Sequence, residues 1–336
     1  MIMKKIITLL AAALCLFGCK NQKALLPSVS GKAGEILVVM EKTDWEGNLG
    51  VEVRELLASE CPYLTPNEPL YSLVNIVPSK FVDLFRVHRN IIIFNVSAQA
   101  DTTGVIYKHD VWAAPQCVIQ VTAPSIEAAS AQLERSEQMI AGSFEQAERD
   151  RVIRNSIRYE EYQIRKQVSE VFGGSPYFPS GYSLRKLTPN FAWIADEKQF
   201  STQGVLMYKY PAGEEDPFSK ENIIRHRNET FMANVPGMFE NTYMTTSRFF
   251  EPTVEYLKYR GRDLAQTRGY WEVENDFMGG PFVSHSFYSK DGSEIIVLDA
   301  FVYAPRYDKR QYLRQVESII YSWVWSEDQE ENMTKK

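Results

Sequence analysis

Apolar residues in this chain fall into short unbroken runs and long stripes at steps of three and four, and that contrast predicts its elements. Runs rich in β-branched residues at 35–40, 90–96 and 116–122 predict buried strands. Asp44 is placed to cap a helix over 44–59, although Gly47 and Gly50 weaken its first turns, and Pro62, Pro66 and Pro69 mark a loop. From Ser125 to about residue 172 the pattern predicts almost unbroken helix. Ile126, Ala129, Leu133, Ile140, Phe144 and Ala147 make one stripe, and Ile153, Ile157, Ile164, Val168 and Val171 resume it, with Gly142 as the bend point. The opposite face is dense in charge (Glu145, Glu148, Arg149, Asp150, Arg151, Arg154), which solvation explains more simply than a ligand. The stripe fits either a coiled coil or a helix lying on a sheet; the second is favoured.

The glycine- and proline-rich stretch 173–181 ends the helix and reads as a connector, since no phosphate-loop Lys-Ser/Thr follows it. Strand patterns follow at 191–195, 205–210, 253–259, 269–274, 282–288 and 295–302, with Asp291-Gly292 supplying a tight turn between the last two. Ser219 caps a short helix over 219–233, and a closing helix over 307–325 carries Tyr312, Val316, Ile319, Ile320 and Trp323 on one side. The expected fold class is α+β (mixed α/β): two sheet-plus-helix modules, 35–172 and 173–325, a mostly antiparallel second sheet, a long central helix and a C-terminal helix. Three short markers recur in order in both halves. Asp83-Leu84 echoes Asp263-Leu264, residues 110–115 echo 276–281, and 121–124 echo 302–305, which raises duplication as one origin of the two modules.

Lys4 and Lys5, the apolar run 6–17 and then Gly18-Cys19 describe a secretory signal rather than a membrane span. Leu16-Phe17-Gly18-Cys19 resembles a bacterial lipobox, which implies cleavage after Gly18, a diacylated Cys19 and a membrane partner reached through that lipid alone. Residues 19–34 then read as a tether, and 326–336 as a charged tail. By resemblance to lipoprotein sorting signals, Lys20 rather than an acidic residue after Cys19 implies the outer membrane, facing the periplasm. The 37 basic residues lose Lys4 and Lys5 with the signal, against 43 acidic residues, leaving a net charge of −8. Such a chain is a poor candidate for nucleic acid. Cys61 and Cys117 remain in a disulfide-permissive compartment, either bridged or as two separate buried thiols.

Catalytic motifs are scarce. His88, His109, His226 and His285 have no metal-ligand spacing, and neither remaining Cys carries a nucleophile signature, so no metal or cofactor is expected. Asp101-Thr102-Thr103 fits a short O-glycosylation pattern on Thr102. The most unusual segment is 259–282, where Arg260, Arg262 and Arg268 stand among aromatics with Trp271, Asp276, Met278, Gly279 and Gly280. Arg beside Trp suits stacking and bidentate bonds to a sugar or an anion, and glycines admit close backbone approach. The alternative is two strands and their turn, with Trp271 in the core. Trp112 and Gln116 form the counterpart in the first half. Residues 34–40, 110–116, 278–282 and 301–305 together resemble an uncharacterised Bacteroidetes lipoprotein family, domain of unknown function 4837, over essentially the whole mature chain. The resemblance implies an envelope location and no activity. The expected role is non-catalytic binding of a glycan, a peptidoglycan fragment or an envelope protein; an envelope hydrolase with a carboxylate pair distant in sequence is the alternative.

Overall fold

The computed structural model describes residues 25–328. The signal, the lipidation site Cys19 and the end of the charged tail lie outside them. The expected α+β class holds, with two large sheets of different construction and a two-stranded one.

The first sheet uses β1 (Glu35–Val39), β2 (Ser72–Ile76), β3 (Asn90–Val96), β4 (Gly104–His109) and β5 (Cys117–Ala123), in the order β2-β1-β3-β5-β4. Neighbours are parallel except β4, which runs antiparallel to β5. The central strands read as unbroken apolar runs because both faces are covered. Ile36, Val38, Ile92 and Ile119 meet Leu49, Val53, Leu133, Ile140 and Phe144 of the covering helices. Leu37, Val39, Ile91 and Val118 meet Phe81, Phe85 and Trp112 on the other side. The first predicted helix is divided at extended Gly47 into α1 (Lys42–Glu46) and α2 (Asn48–Leu57), and a short turn, α3 (Asp83–Arg86), precedes β3.

The long helical stretch is three helices: α4 (Ile126–Arg135), α5 (Glu137–Arg158) and α6 (Tyr162–Phe172). Its breaks fall at Ser136 and at 159–161, not at Gly142, which lies inside α5 with open space beside it. Ser125 caps α4 by accepting a bond from the Ala128 N–H. Grouping residues 162–172 with the first module does not match the packing, because Ile164, Val168 and Phe172 are buried in the core of the second sheet.

That second core forms on β6 (Gly174–Ser175), β7 (Ser183–Thr188), β8 (Phe191–Lys198), β9 (Ser201–Pro211), β10 (Met244–Thr246), β11 (Thr253–Tyr259), β12 (Arg262–Val273), β13 (Gly279–Tyr288), β14 (Glu294–Tyr303) and β15 (Val324–Trp325). The large sheet runs β10-β12-β13-β14-β9-β8-β7, with β11 also on β12, and its pairs are antiparallel throughout. The closing helix α8 (Arg310–Tyr321) and α6 cover one face, while α7 (Lys220–Asn234), capped by the Ser219 hydroxyl, covers the other. The closing helix stops at Tyr321, and Val324–Trp325 pairs as a strand with Gly174–Ser175. The mostly parallel first sheet and the antiparallel second one do not share a strand arrangement, which counts against duplication. Of the shared markers, Asp83-Leu84 lies in a helical turn and Asp263-Leu264 inside a strand.

The sequence places a flexible tether up to residue 34, yet the chain is docked from Pro27. The Pro27 carbonyl accepts from the Ala114 N–H at 2.9 Å, Ser28 bridges Ala114, and Ser30 exchanges backbone bonds with Val87 and Arg89. At the seam between modules, Glu68 of the first module accepts bonds from the Lys309 and Arg310 N–H groups, at 2.6 and 3.0 Å. It caps α8, whose own N-cap residue supplies no side-chain bond. Arg314 of α8 reaches back to Glu145 of α5 and to the Leu70 carbonyl, over the Tyr71 ring.

Candidate functional site

The residues singled out in 259–282 are mostly structural. Arg260 and Gly261, both at positive φ, make the two-residue turn of the β11–β12 hairpin, in which Tyr259 pairs with Arg262. The Arg260 guanidinium lies 3.8 Å from Asp150 of α5. Arg262 sits over the Phe287 ring, and its burial lowers its pKa to about 10. Arg268 bonds both oxygens of Glu317, at 2.5 and 3.3 Å, and so ties β12 to the closing helix. Trp271 is core, 3% exposed, and its indole N–H donates to the Val302 carbonyl at 3.1 Å. Gly280 admits a strand, not a ligand: a Cβ there would stand 2.1 Å from the Val302 oxygen. At Gly279 it would meet the Trp271 carbonyl.

Asp276 lies in a turn, where its carboxylate accepts the Phe277 N–H, and Met278 lines a shallow apolar groove beside Trp271. Gln116 is buried and used up locally, bonding the Arg86 and His88 carbonyls and the Trp112 N–H. Trp112 packs edge-on against Phe81. Thr102 is exposed in the loop before β4. Of the two readings of Cys61 and Cys117, separate thiols is the one observed: both are free, Cys117 within the first core and Cys61 against the second. Burial pushes their pKa values up to about 11 for Cys61 and about 12 for Cys117.

His285 has a role the sequence does not reveal. It is wholly buried on β13, 3.1 Å from the Gln266 side-chain nitrogen and edge-on to the Tyr321 ring. Burial, then the charges of Arg262, Arg149 and Arg268, hold its pKa well below the ordinary 6.5. A neutral folded imidazole facing an unfolded one that protonates below pH 6.5 makes stability fall as pH drops through that value. We expect a loss of about 2 kcal/mol from this group between pH 7 and 5. Urea unfolding at the two pH values should show that difference shrink by the same amount in His285→Gln.

Where the modules meet, the side chains form a different kind of site. A cleft of about 340 Å³ opens between Ala33 and Arg89 of the first module, Glu148 and Arg151 of α5, Tyr182, Asp196, Lys198 and Gln203 of the second sheet, and Arg314 and Gln315 of α8. Four cationic side chains face two carboxylates. Arg89 and Arg151 converge on buried Glu148 at 2.9 and 3.0 Å, and Lys198 pairs with Asp196 at 2.9 Å. Beneath the cleft wall, Arg89 Nε, Arg314 Nη1, Gln203 Oε1 and the Tyr182 hydroxyl are buried without hydrogen-bond partners. Arg314, Gln203 and Tyr182 are each more than nine-tenths buried. Unpaired buried polar atoms are costly, at about 1–3 kcal/mol each, and four of them gather at this one cleft. Two larger hollows on the first module, about 670 and 540 Å³, are open grooves whose lining holds no such atom. Arg89, Glu148, Tyr182, Lys198, Gln203 and Arg314 come from distant parts of the chain and form no motif.

Among the described residues no helix is long and apolar enough to cross a membrane, and no group of three or more His, Cys, Asp or Glu side chains is placed to hold a metal. No curated sequence matches the chain. Two solved structures overlap it in part. One is LpqN, a protein involved in cell envelope biogenesis of Mycobacterium tuberculosis, at 13% identity and TM-score 0.27, over 44% of this chain and 79% of that one. The other is the lipid transfer and protein localization domain of human StarD13 (DLC2), at 10% identity and TM-score 0.22, over 48% and 95%. Overlaps that slight carry no argument. Two family models match end to end, the domain of unknown function DUF8532 over residues 29–156 and the domain of unknown function DUF4837 over 161–322. The junction coincides with the helix break at 159–161, and the expected single family over the whole mature chain is confined to the second half. By sequence, then, this chain is similar to two families of unknown function in tandem, DUF8532 in its first module and DUF4837 in its second.

Proposed function

We propose that this chain is a lipid-anchored cell-envelope protein with a non-catalytic binding role, and that its inter-module cleft takes an acid-bearing envelope fragment such as a peptidoglycan peptide. Acylation of Cys19 would hold it on the periplasmic face of the outer membrane. Only seven residues lie between Cys19 and docked Pro27, a root-mean-square reach of about 15 Å, so the cleft works close to the bilayer. The observation that carries the reading is the cluster of buried, unpartnered polar atoms under a cleft where cations outnumber carboxylates two to one. Guanidinium groups match carboxylate geometry, and a net positive cleft in an acidic chain concentrates anionic ligands. Both cleft carboxylates are ion-paired, an arrangement that suits recognition rather than proton transfer.

Thermal melting tests this. Soluble muropeptides at 100 times their Kd should stabilise the chain by about 2.7 kcal/mol, while neutral oligosaccharides at the same concentration leave Tm unchanged. Equal shifts with both, or no shift with either, would overturn the proposal.

A further inference from the structure

A second surface, remote from the seam, has the chemistry of a docking site. The loops 236–243, 247–251 and 274–278 come together at one end of β12. Arg248 bonds both oxygens of Glu274 at 2.9 Å, the Glu274 N–H donates to the Tyr243 carbonyl, and Phe249 and Phe277 line one hollow. Four large apolar side chains stand on these loops with nothing over them: Phe277 at 106% exposure, Phe249 at 86%, Met238 at 80% and Phe239 at 67%. Monomers seldom expose such a group without a use for it. Beside it runs the groove of about 250 Å³ lined by Met238, Met244, Met278, Trp271 and Phe301. That is under the roughly 300–1,000 Å³ of a small-molecule pocket and suits one anchoring side chain. Methionine walls adapt to varied apolar shapes. Trp193, in the same wall, keeps a buried indole N–H without an acceptor.

Charge decides what covers the face. The loops, with Glu272 at the end of β12, carry Glu240, Glu251, Glu272, Glu274 and Asp276; Arg248 pairs with Glu274 and Lys220 of α7 with Glu251, which leaves Glu240, Glu272 and Asp276 in excess. An acidic rim repels an anionic lipid surface and attracts Lys and Arg. We propose that this face docks a basic segment of a partner protein, with one large apolar side chain entering the methionine-lined groove. The segment's backbone carbonyl is within the chemistry of the Trp193 N–H, and its cations meet the acidic rim.

The test is to pan a random twelve-residue peptide library on the full chain. Enriched peptides should join an aromatic or Leu residue to neighbouring Lys or Arg. They should bind at least tenfold more weakly to Met238→Ser/Phe277→Ser and to the charge reversal Glu240→Lys/Glu272→Lys, with weaker binding at higher salt. All four positions of change lie at the surface or its edge, and both variants should keep the wild-type Tm and muropeptide response, which separates this inference from the cleft. Failure of the library to converge, peptides without basic residues, or equal binding to the variants would overturn it. So would flotation with phosphatidylethanolamine–phosphatidylglycerol vesicles that is lost in Phe249→Ser/Phe277→Ser, which would assign the face to the bilayer.

Discussion

Replacing Arg227 with methionine should destabilise the chain by about 3–5 kcal/mol. The guanidinium of Arg227, on α7, is fully buried and bonds Asp299 of β14 at 2.8 and 3.3 Å and the Thr246 hydroxyl at 2.9 Å. It is also packed over the rings of Phe282 and Phe231, at 3.7 and 4.5 Å. Removing the cation leaves the Asp299 carboxylate in the core with no counter-charge, and the cost is mainly that stranded charge. The double variant Arg227→Met/Asp299→Leu removes both charges and should recover most of the loss. Chemical denaturation of the two single variants and the double closes the cycle. A double variant as unstable as the sum of the singles would contradict this reading.

Glu68→Ala should cost about 2–4 kcal/mol, from two charge-assisted bonds and the favourable field at a helix N-terminus. Its effect should differ in kind from that of Arg227. Glu68 belongs to the first module and caps the closing helix of the second, and Lys309 returns a bond from its amine to the Thr65 carbonyl at 2.8 Å. Losing the cap should therefore separate unfolding of the modules into two transitions where the wild type shows one. Glu68→Gln, which keeps one acceptor oxygen but loses the charge and the second acceptor, should fall between. A single transition with unchanged midpoint in Glu68→Ala would mean that the cap does not couple the modules.

The central strands were legible because burial on both faces leaves near-continuous apolar runs. Asn90–Val96 and Thr253–Tyr259 end where the pattern places them, and the Ser219 cap bonds the Asn222 N–H as expected. Among the strands that the pattern does not reveal, Ser72–Ile76, Gly104–His109 and Ser183–Thr188 are sheet edges whose half-exposed residues show no clean alternation, and Met244–Thr246 is too short to show a period. The pattern hides the breaks at Ser136 and 159–161 because one apolar stripe continues through both; Leu133 and Ile140 flank Ser136 within one core, and only at 159–161 does the stripe pass from the first module's core to the second's.

The candidate site was less legible. Clusters of Arg and Trp close in sequence attract attention, but in an antiparallel sheet such neighbours alternate between opposite faces. Trp271 therefore enters the core beneath α7, while Arg268 turns to the closing helix. The cleft draws on residues from Arg89 to Arg314, and only the packing of two modules brings them together. Met278 and Asp276, candidates by sequence for a sugar or anion platform, border the apolar docking face instead.

The most direct measurement is isothermal titration of the chain and of Lys198→Glu with soluble muropeptides. Lys198 is largely exposed at the cleft mouth, so its replacement tests recognition without disturbing the core. Saturable binding to the wild type, weakened at least tenfold in Lys198→Glu and by added salt, is the predicted result. Equal affinity in both proteins, or binding of neutral oligosaccharide as tight as that of the acid-bearing fragment, would contradict it.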